Sequence, residues 1–172
     1  MKRSLRGLVM IAALAASTAL AGCQRETGGE PLQLTGKIFV FNYRLAYATY
    51  MITLNRTEPL PEGATITAEF ENPAGGDPLV LQRKLFAAQE KVVLESPDVR
   101  CVKKARPYRV SITVDGPDGA RLQALETTVV SDLDQSVLPA HALVVGPAYD
   151  KNPEMFKNGL TGGQFDMRKC PS

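Results

Sequence analysis

The sequence predicts an all-β chain, a single immunoglobulin-like antiparallel β-sandwich of about seven or eight strands. Three observations predict it. Short runs rich in β-branched and aromatic residues recur along the chain, turn signals separate them, and no helical pattern of three turns lies between them. The composition agrees, since 172 residues with 44% apolar and 22% charged side chains and no Trp describe a globular protein. Disordered, collagen-like and polytopic membrane classes are excluded on the same ground.

The elements follow in order. Residues 35–43 and 47–54 form the first two runs, and residues 64–71 place Ile66, Ala68 and Phe70 on one face against Thr65, Thr67 and Glu69 on the other. That alternation is the period of a half-buried strand. The turn Asn72-Pro73-Ala74-Gly75-Gly76-Asp77-Pro78 ends it, and residues 79–86, 91–95, 108–115, 122–130 and 142–145 complete the set. Asp115-Gly116-Pro117-Asp118-Gly119 joins two of these as a hairpin, because it supplies both Pro and residues suited to positive φ. A helical turn fits in only two places, residues 86–90 and 153–158. The sandwich is expected over residues 34–149, long enough for one core and too short for two.

The first 22 residues have another character. Lys2, Arg3 and Arg6 precede the apolar run from Leu8 to Ala16, and small residues follow, which is the layout of an export signal. The run falls short of the roughly 20 apolar residues that span a bilayer. Leu20-Ala21-Gly22-Cys23 then resembles the bacterial lipoprotein signal box. The resemblance implies that residues 1–22 are removed, that Cys23 carries a diacylglycerol and an N-acyl chain, and that residues 23–33 tether the fold to a membrane. Gln24 follows the cysteine, which in that family implies the outer membrane, on its periplasmic side. Two or more acyl chains, at about 0.8 kcal/mol per buried methylene, make such attachment stable.

Without Lys2, Arg3 and Arg6 the chain holds 17 basic against 18 acidic residues. Nothing in that balance suits a nucleic acid. With Cys23 lipidated, Cys101 and Cys170 remain in a compartment where disulfides persist, and no Cys-x-x-Cys spacing argues for redox catalysis. They are expected to bridge, pinning an irregular tail over residues 150–172 that is rich in Gly, Asn and Pro.

Catalytic and metal chemistry has few candidates. His141 is the only histidine and no Gly-x-Ser-x-Gly elbow accompanies it. One His and two bridged Cys cannot make a zinc site, Asp115–Gly119 lacks the further carboxylates of a calcium loop, and Asp132 and Asp134 read as solvated loop acids. No cofactor or metal is expected.

Two patches could meet a partner. Phe39, Phe41 and Tyr43 are two apart and so share one strand face, opposite Ile38 and Val40. Sequence leaves open whether that row fills the core or stands on the outer surface. Arg100, Lys103, Lys104, Arg106 and Arg109 form the second patch, suited to an anionic headgroup or an acidic partner, or simply to a solvated loop guarding a sheet edge.

Leu60-Pro61-Glu62-Gly63-Ala64 opening residues 65–70, followed by Tyr108-Arg109-Val110-Ser111-Ile112-Thr113-Val114-Asp115 and Gly119-Ala120-Arg121-Leu122, resembles small β-sandwich lipoproteins that include the lipoprotein chaperones (pilotins) of type III secretion systems. The resemblance implies a non-catalytic binding or assembly role for an envelope protein partner. A ligand-binding or inhibitor module for a glycan, lipid or protease is the alternative, and an enzyme ranks last.

Overall fold

The alternation of apolar and polar residues becomes seven core strands in the computed structural model, which describes residues 29–157 and 162–171. One sheet runs in the order β1 (Leu32–Asn42), β2 (Tyr47–Arg56), β5 (Lys91–Glu95). The other runs β4 (Leu79–Lys84), β3 (Thr65–Phe70), β6 (Pro107–Asp115), β7 (Arg121–Val130). All the ladders are antiparallel. Because β2 takes β5 and β3 takes β6 as second partner, the chain crosses between sheets in the Greek-key manner of immunoglobulin-like sandwiches. The expected fold class is therefore the observed one, with β4 on the four-stranded side.

The inner faces make the core. Ile52 and Leu54 of β2 and Leu94 of β5 meet Ile66 and Phe70 of β3 and Val110 of β6, all fully buried. The β6–β7 hairpin closes as the sequence predicts, with the Gly116 N–H donating to Ala120 O at 2.8 Å and Gly119 at φ +82°. That φ explains the glycine.

Two sites correct the predicted boundaries. β1 begins at Leu32, inside the segment expected to be tether, because the buried Gln123 side chain satisfies the Leu32 backbone at both ends. Leu32 N–H donates to Gln123 Oε1 at 3.0 Å, and Gln123 Nε2 donates back to Leu32 O at 2.7 Å. This clamp, with Lys37 Nζ donating to Thr127 Oγ1 at 3.0 Å, stitches β1 to β7 along one side of the sandwich. Replacing Gln123 by Leu strands a buried donor and acceptor, and is expected to cost about 1–3 kcal/mol in urea unfolding. An unchanged midpoint would remove the clamp from the account of stability.

The second correction concerns the tail. Asp150–Lys151 (β9) pairs with Val144–Val145 (β8), so a boundary at residue 149 cuts through a hairpin. Its turn is permitted by Gly146 and Tyr149, both at positive φ. Asn152 and Met155 beyond it are buried, and the Asn152 side chain donates to Ala142 O at 2.7 Å. Among the described residues, 162–171 are irregular apart from a bridge of Gln164 to Pro139 and a 3₁₀ turn at Met167–Lys169. Residues 86–90 form a single turn through Gln89 N–H to Phe86 O at 2.9 Å, and residues 153–155 another; Asn158 lies outside the described residues.

The sandwich has two distinct ends. Pro31, the β2–β3 and β4–β5 loops and the β6–β7 turn lie at one, where Thr57 N–H donates to Pro31 O at 2.9 Å. This is the stem end. The β1–β2 turn, the β3–β4 and β5–β6 loops and everything after β7 lie at the other, the cap end.

Candidate partner-binding surface

The aromatic row divides at the end of β1. Phe39 and Phe41 face inward, with the Phe39 ring 4.3 Å from that of Tyr50 and 5.5 Å from that of Tyr108. Ile38 stands exposed on the opposite face, and Tyr43, in the turn beyond the strand, is 58% exposed. Phe39 and Phe41 are thus core filling, the commoner use of such a row, and of the three only Tyr43 is at the surface.

Tyr50 and Tyr108 explain why the rings gather there. Tyr50 is fully buried, stacks on Phe70 at 5.2 Å and donates its hydroxyl to Glu71 O at 2.7 Å. Burial, and then the nearby Glu71 carboxylate, push its phenol well above the usual range, so it stays neutral. Tyr108 opens β6 and turns its hydroxyl back to the β5–β6 loop, accepting from Lys103 N–H at 2.7 Å and contacting Cys101 O at 3.4 Å. This is the tyrosine corner of immunoglobulin-like folds.

The same loop carries the disulfide and the basic cluster. Cys101 and Cys170 are bridged with Cα atoms 5.4 Å apart, as expected from sequence. Gln135, fully buried in the 3₁₀ turn Gln135–Val137, accepts from Val102 N–H at 3.1 Å and so packs the cap against this loop. Lys103 Nζ donates to the Pro171 carbonyl, and Arg106 both pairs with Glu71 at 2.8 Å and lies 4.5 Å over the Tyr108 ring. Two of the five cations therefore hold the fold. Arg100, Lys104 and Arg109 are exposed and form no ion pair among the described residues.

Tyr43 belongs to a patch that sequence reasoning did not assemble. Leu143 N–H donates to Arg44 O at 2.8 Å, and the Arg44 guanidinium lies 5.3 Å over the half-exposed ring of Tyr149. The β1–β2 turn and the β8–β9 hairpin thus present Arg44 and Tyr149 together at the cap end, with Tyr43 next to Arg44 in the chain. No signal in the sequence could have joined them, since they lie about a hundred residues apart.

The residues considered for catalysis stay dispersed. His141 is exposed, Asp132 is exposed, and Asp134 caps the Gln135–Val137 turn by accepting from Ser136 N–H at 3.2 Å. Among the described residues no three His, Cys, Asp or Glu side chains are grouped to hold a metal. One cleft, of about 480 Å³, is open to solvent at the stem end and lies between Asn55, Arg56, Glu58, Glu90 and Lys91. No described helix is long and apolar enough to cross a membrane. Cys23 lies outside the described residues.

No family model matches the chain, and no curated protein matches its sequence. Among solved structures it is similar to a calcium-binding mutant of β-glucuronidase 2 from Bacteroides uniformis (18% identity, TM-score 0.41, covering 60% of this chain and 13% of that one). It is also similar to OgpA from Akkermansia muciniphila (13%, 0.39, 63% and 31%) and to the alkylpurine DNA glycosylase AlkC from Pseudomonas fluorescens bound to DNA (18%, 0.30, 59% and 31%). The chain spans less than a third of each. Likenesses at these scores carry nothing about activity.

Proposed function

We propose that this chain is an outer-membrane lipoprotein that holds one β-sandwich on the periplasmic side and acts by binding, as an assembly factor for an envelope protein, without catalysis. The observation that carries the proposal is the ordered series of Lys2, Arg3 and Arg6, the apolar run, and Leu20-Ala21-Gly22-Cys23. Lipid on Cys23 would confine the domain to a thin layer and raise its effective concentration toward anything else at that surface. The placement of Pro31 at the stem end supports this, because the cap end is then left facing away from the anchor. Glu30 lies seven positions after Cys23, a reach of roughly 25 Å when extended.

Cell fractionation with in-cell crosslinking tests it. Wild-type chain should sediment with the outer membrane and capture one envelope protein, whereas Cys23→Ser should be soluble, folded and without that partner. A Cys23→Ser chain that still sediments, or that keeps its partner and full activity, overturns the proposal.

A further inference from the structure

The side of the sandwich opposite the β1–β7 stitch is open. There β4 ends one sheet and β5 ends the other, each with a strand partner on only one side. Along β4 the inward positions are Leu79, Leu81 and Arg83, in register with Phe70, Ala68 and Ile66 of the core. Leu79 and Leu81 pack on that core, so the third inward position is a cation where the pattern calls for an apolar residue.

Arg83 has two buried nitrogens, Nε and Nη2, and neither has a hydrogen-bond partner among the described residues. A buried donor left unpaired costs stability, and more so on a charged group. These two nitrogens are the adjacent pair through which a guanidinium grips both oxygens of a carboxylate. The chain shows that grip elsewhere, where Arg168 holds the two oxygens of Asp166 through Nε and Nη2, each at 2.9 Å. An arginine serving only to keep the edge from pairing would gain by reaching water, as Lys84 beside it does.

We infer that the β4 edge is a docking site for an extended acidic segment of a partner protein, which adds as a strand and places a carboxylate on Arg83. Because side chains alternate along a strand, an antiparallel segment would set an acid against Arg83 and apolar residues against Leu81 and Leu79, giving the order acid-x-apolar-x-apolar. The inference rests on the binding role proposed above and gives it a surface and a partner chemistry.

The test is titration of the full chain in mild detergent with the labelled peptide acetyl-Glu-Thr-Val-Thr-Val-Thr-amide. Saturable binding is expected, weakened by roughly tenfold or more when Gln replaces the peptide Glu or when Arg83→Met removes the fork. Arg83→Lys, which keeps the charge and loses the fork, should also weaken it, and thermal melting of each variant verifies folding. Three results would overturn the inference: no saturable binding, equal binding of the Gln peptide, or an Arg83→Met chain that self-associates while the wild type does not. The last would make Arg83 a guard of the edge. None of them bears on membrane attachment, which the Cys23→Ser fractionation reads separately.

Discussion

Removing the Cys101–Cys170 bridge, as the Cys101→Ala/Cys170→Ala double variant, is expected to lower the melting temperature by roughly 10–15 °C. The bridge spans 69 positions and encloses both strands of the β6–β7 hairpin, so it restricts the unfolded chain over about half of the domain. For a closed loop of this length the chain-entropy treatment gives about 4 kcal/mol. The native-state consequence is local. Without the bridge the tail keeps Phe165 N–H on Leu138 O, Ala140 N–H on Gly163 O and Lys103 Nζ on Pro171 O, of which the last is exposed. Calorimetry of the reduced and oxidised chains, with limited proteolysis of the tail, separates the two effects. Equal melting temperatures would show that the cap is held by these hydrogen bonds and not by the bridge.

Tyr50→Ala is expected to cost about 3–5 kcal/mol, the scale of deleting a large buried aromatic. The ring is central to the cluster, packing on Phe39, Phe70 and Tyr108. Tyr50→Phe keeps the ring and loses only the bond to Glu71 O, which should cost about 1 kcal/mol. The same pair carries a pH dependence. The folded state holds the Tyr50 phenol neutral past the usual tyrosine range, whereas in the unfolded chain it ionises near pH 10. Its contribution is therefore complete below about pH 10 and lost as pH rises beyond it. Urea midpoints between roughly pH 9 and 11 should fall more steeply in wild type than in Tyr50→Phe. Parallel slopes would show that Tyr50 ionises in the fold as readily as outside it.

The strands were legible because their signals are local. Ile66, Ala68 and Phe70 announce the inner face of β3 by alternation alone, and Asp115–Gly119 announces the hairpin by turn chemistry. The Cys101–Cys170 pair followed from elimination and compartment. What stayed hidden depends on distant residues. Gln123 and Gln135 look like surface amides, and only the fold shows that each satisfies backbone groups of a segment far along the chain. The basic cluster was visible as a cluster, but not that Arg106 is committed to Glu71, which lies 35 positions away. Arg83 did carry a signal, as the charge in the series Leu79, Leu81, Arg83, yet beside Lys84 it reads as one more surface cation. The aromatic row was ambiguous because both faces of β1 carry apolar residues, and contact with Tyr50 and Tyr108 decides it.

The crossing of the chain between sheets also governs how fast the domain can form. β2 must wait for β5, β3 for β6, and Leu32 for Gln123, 91 positions later, before either sheet is closed. Loop-closure entropy is spent before these distant pairs return anything, which places the chain with sandwiches that fold in milliseconds to seconds. During that interval the inner faces of early-formed strands are uncovered and open to wrong association. The longest of these closures is made by β7, the strand whose Gln123 holds Leu32, the first residue of the sandwich, in place.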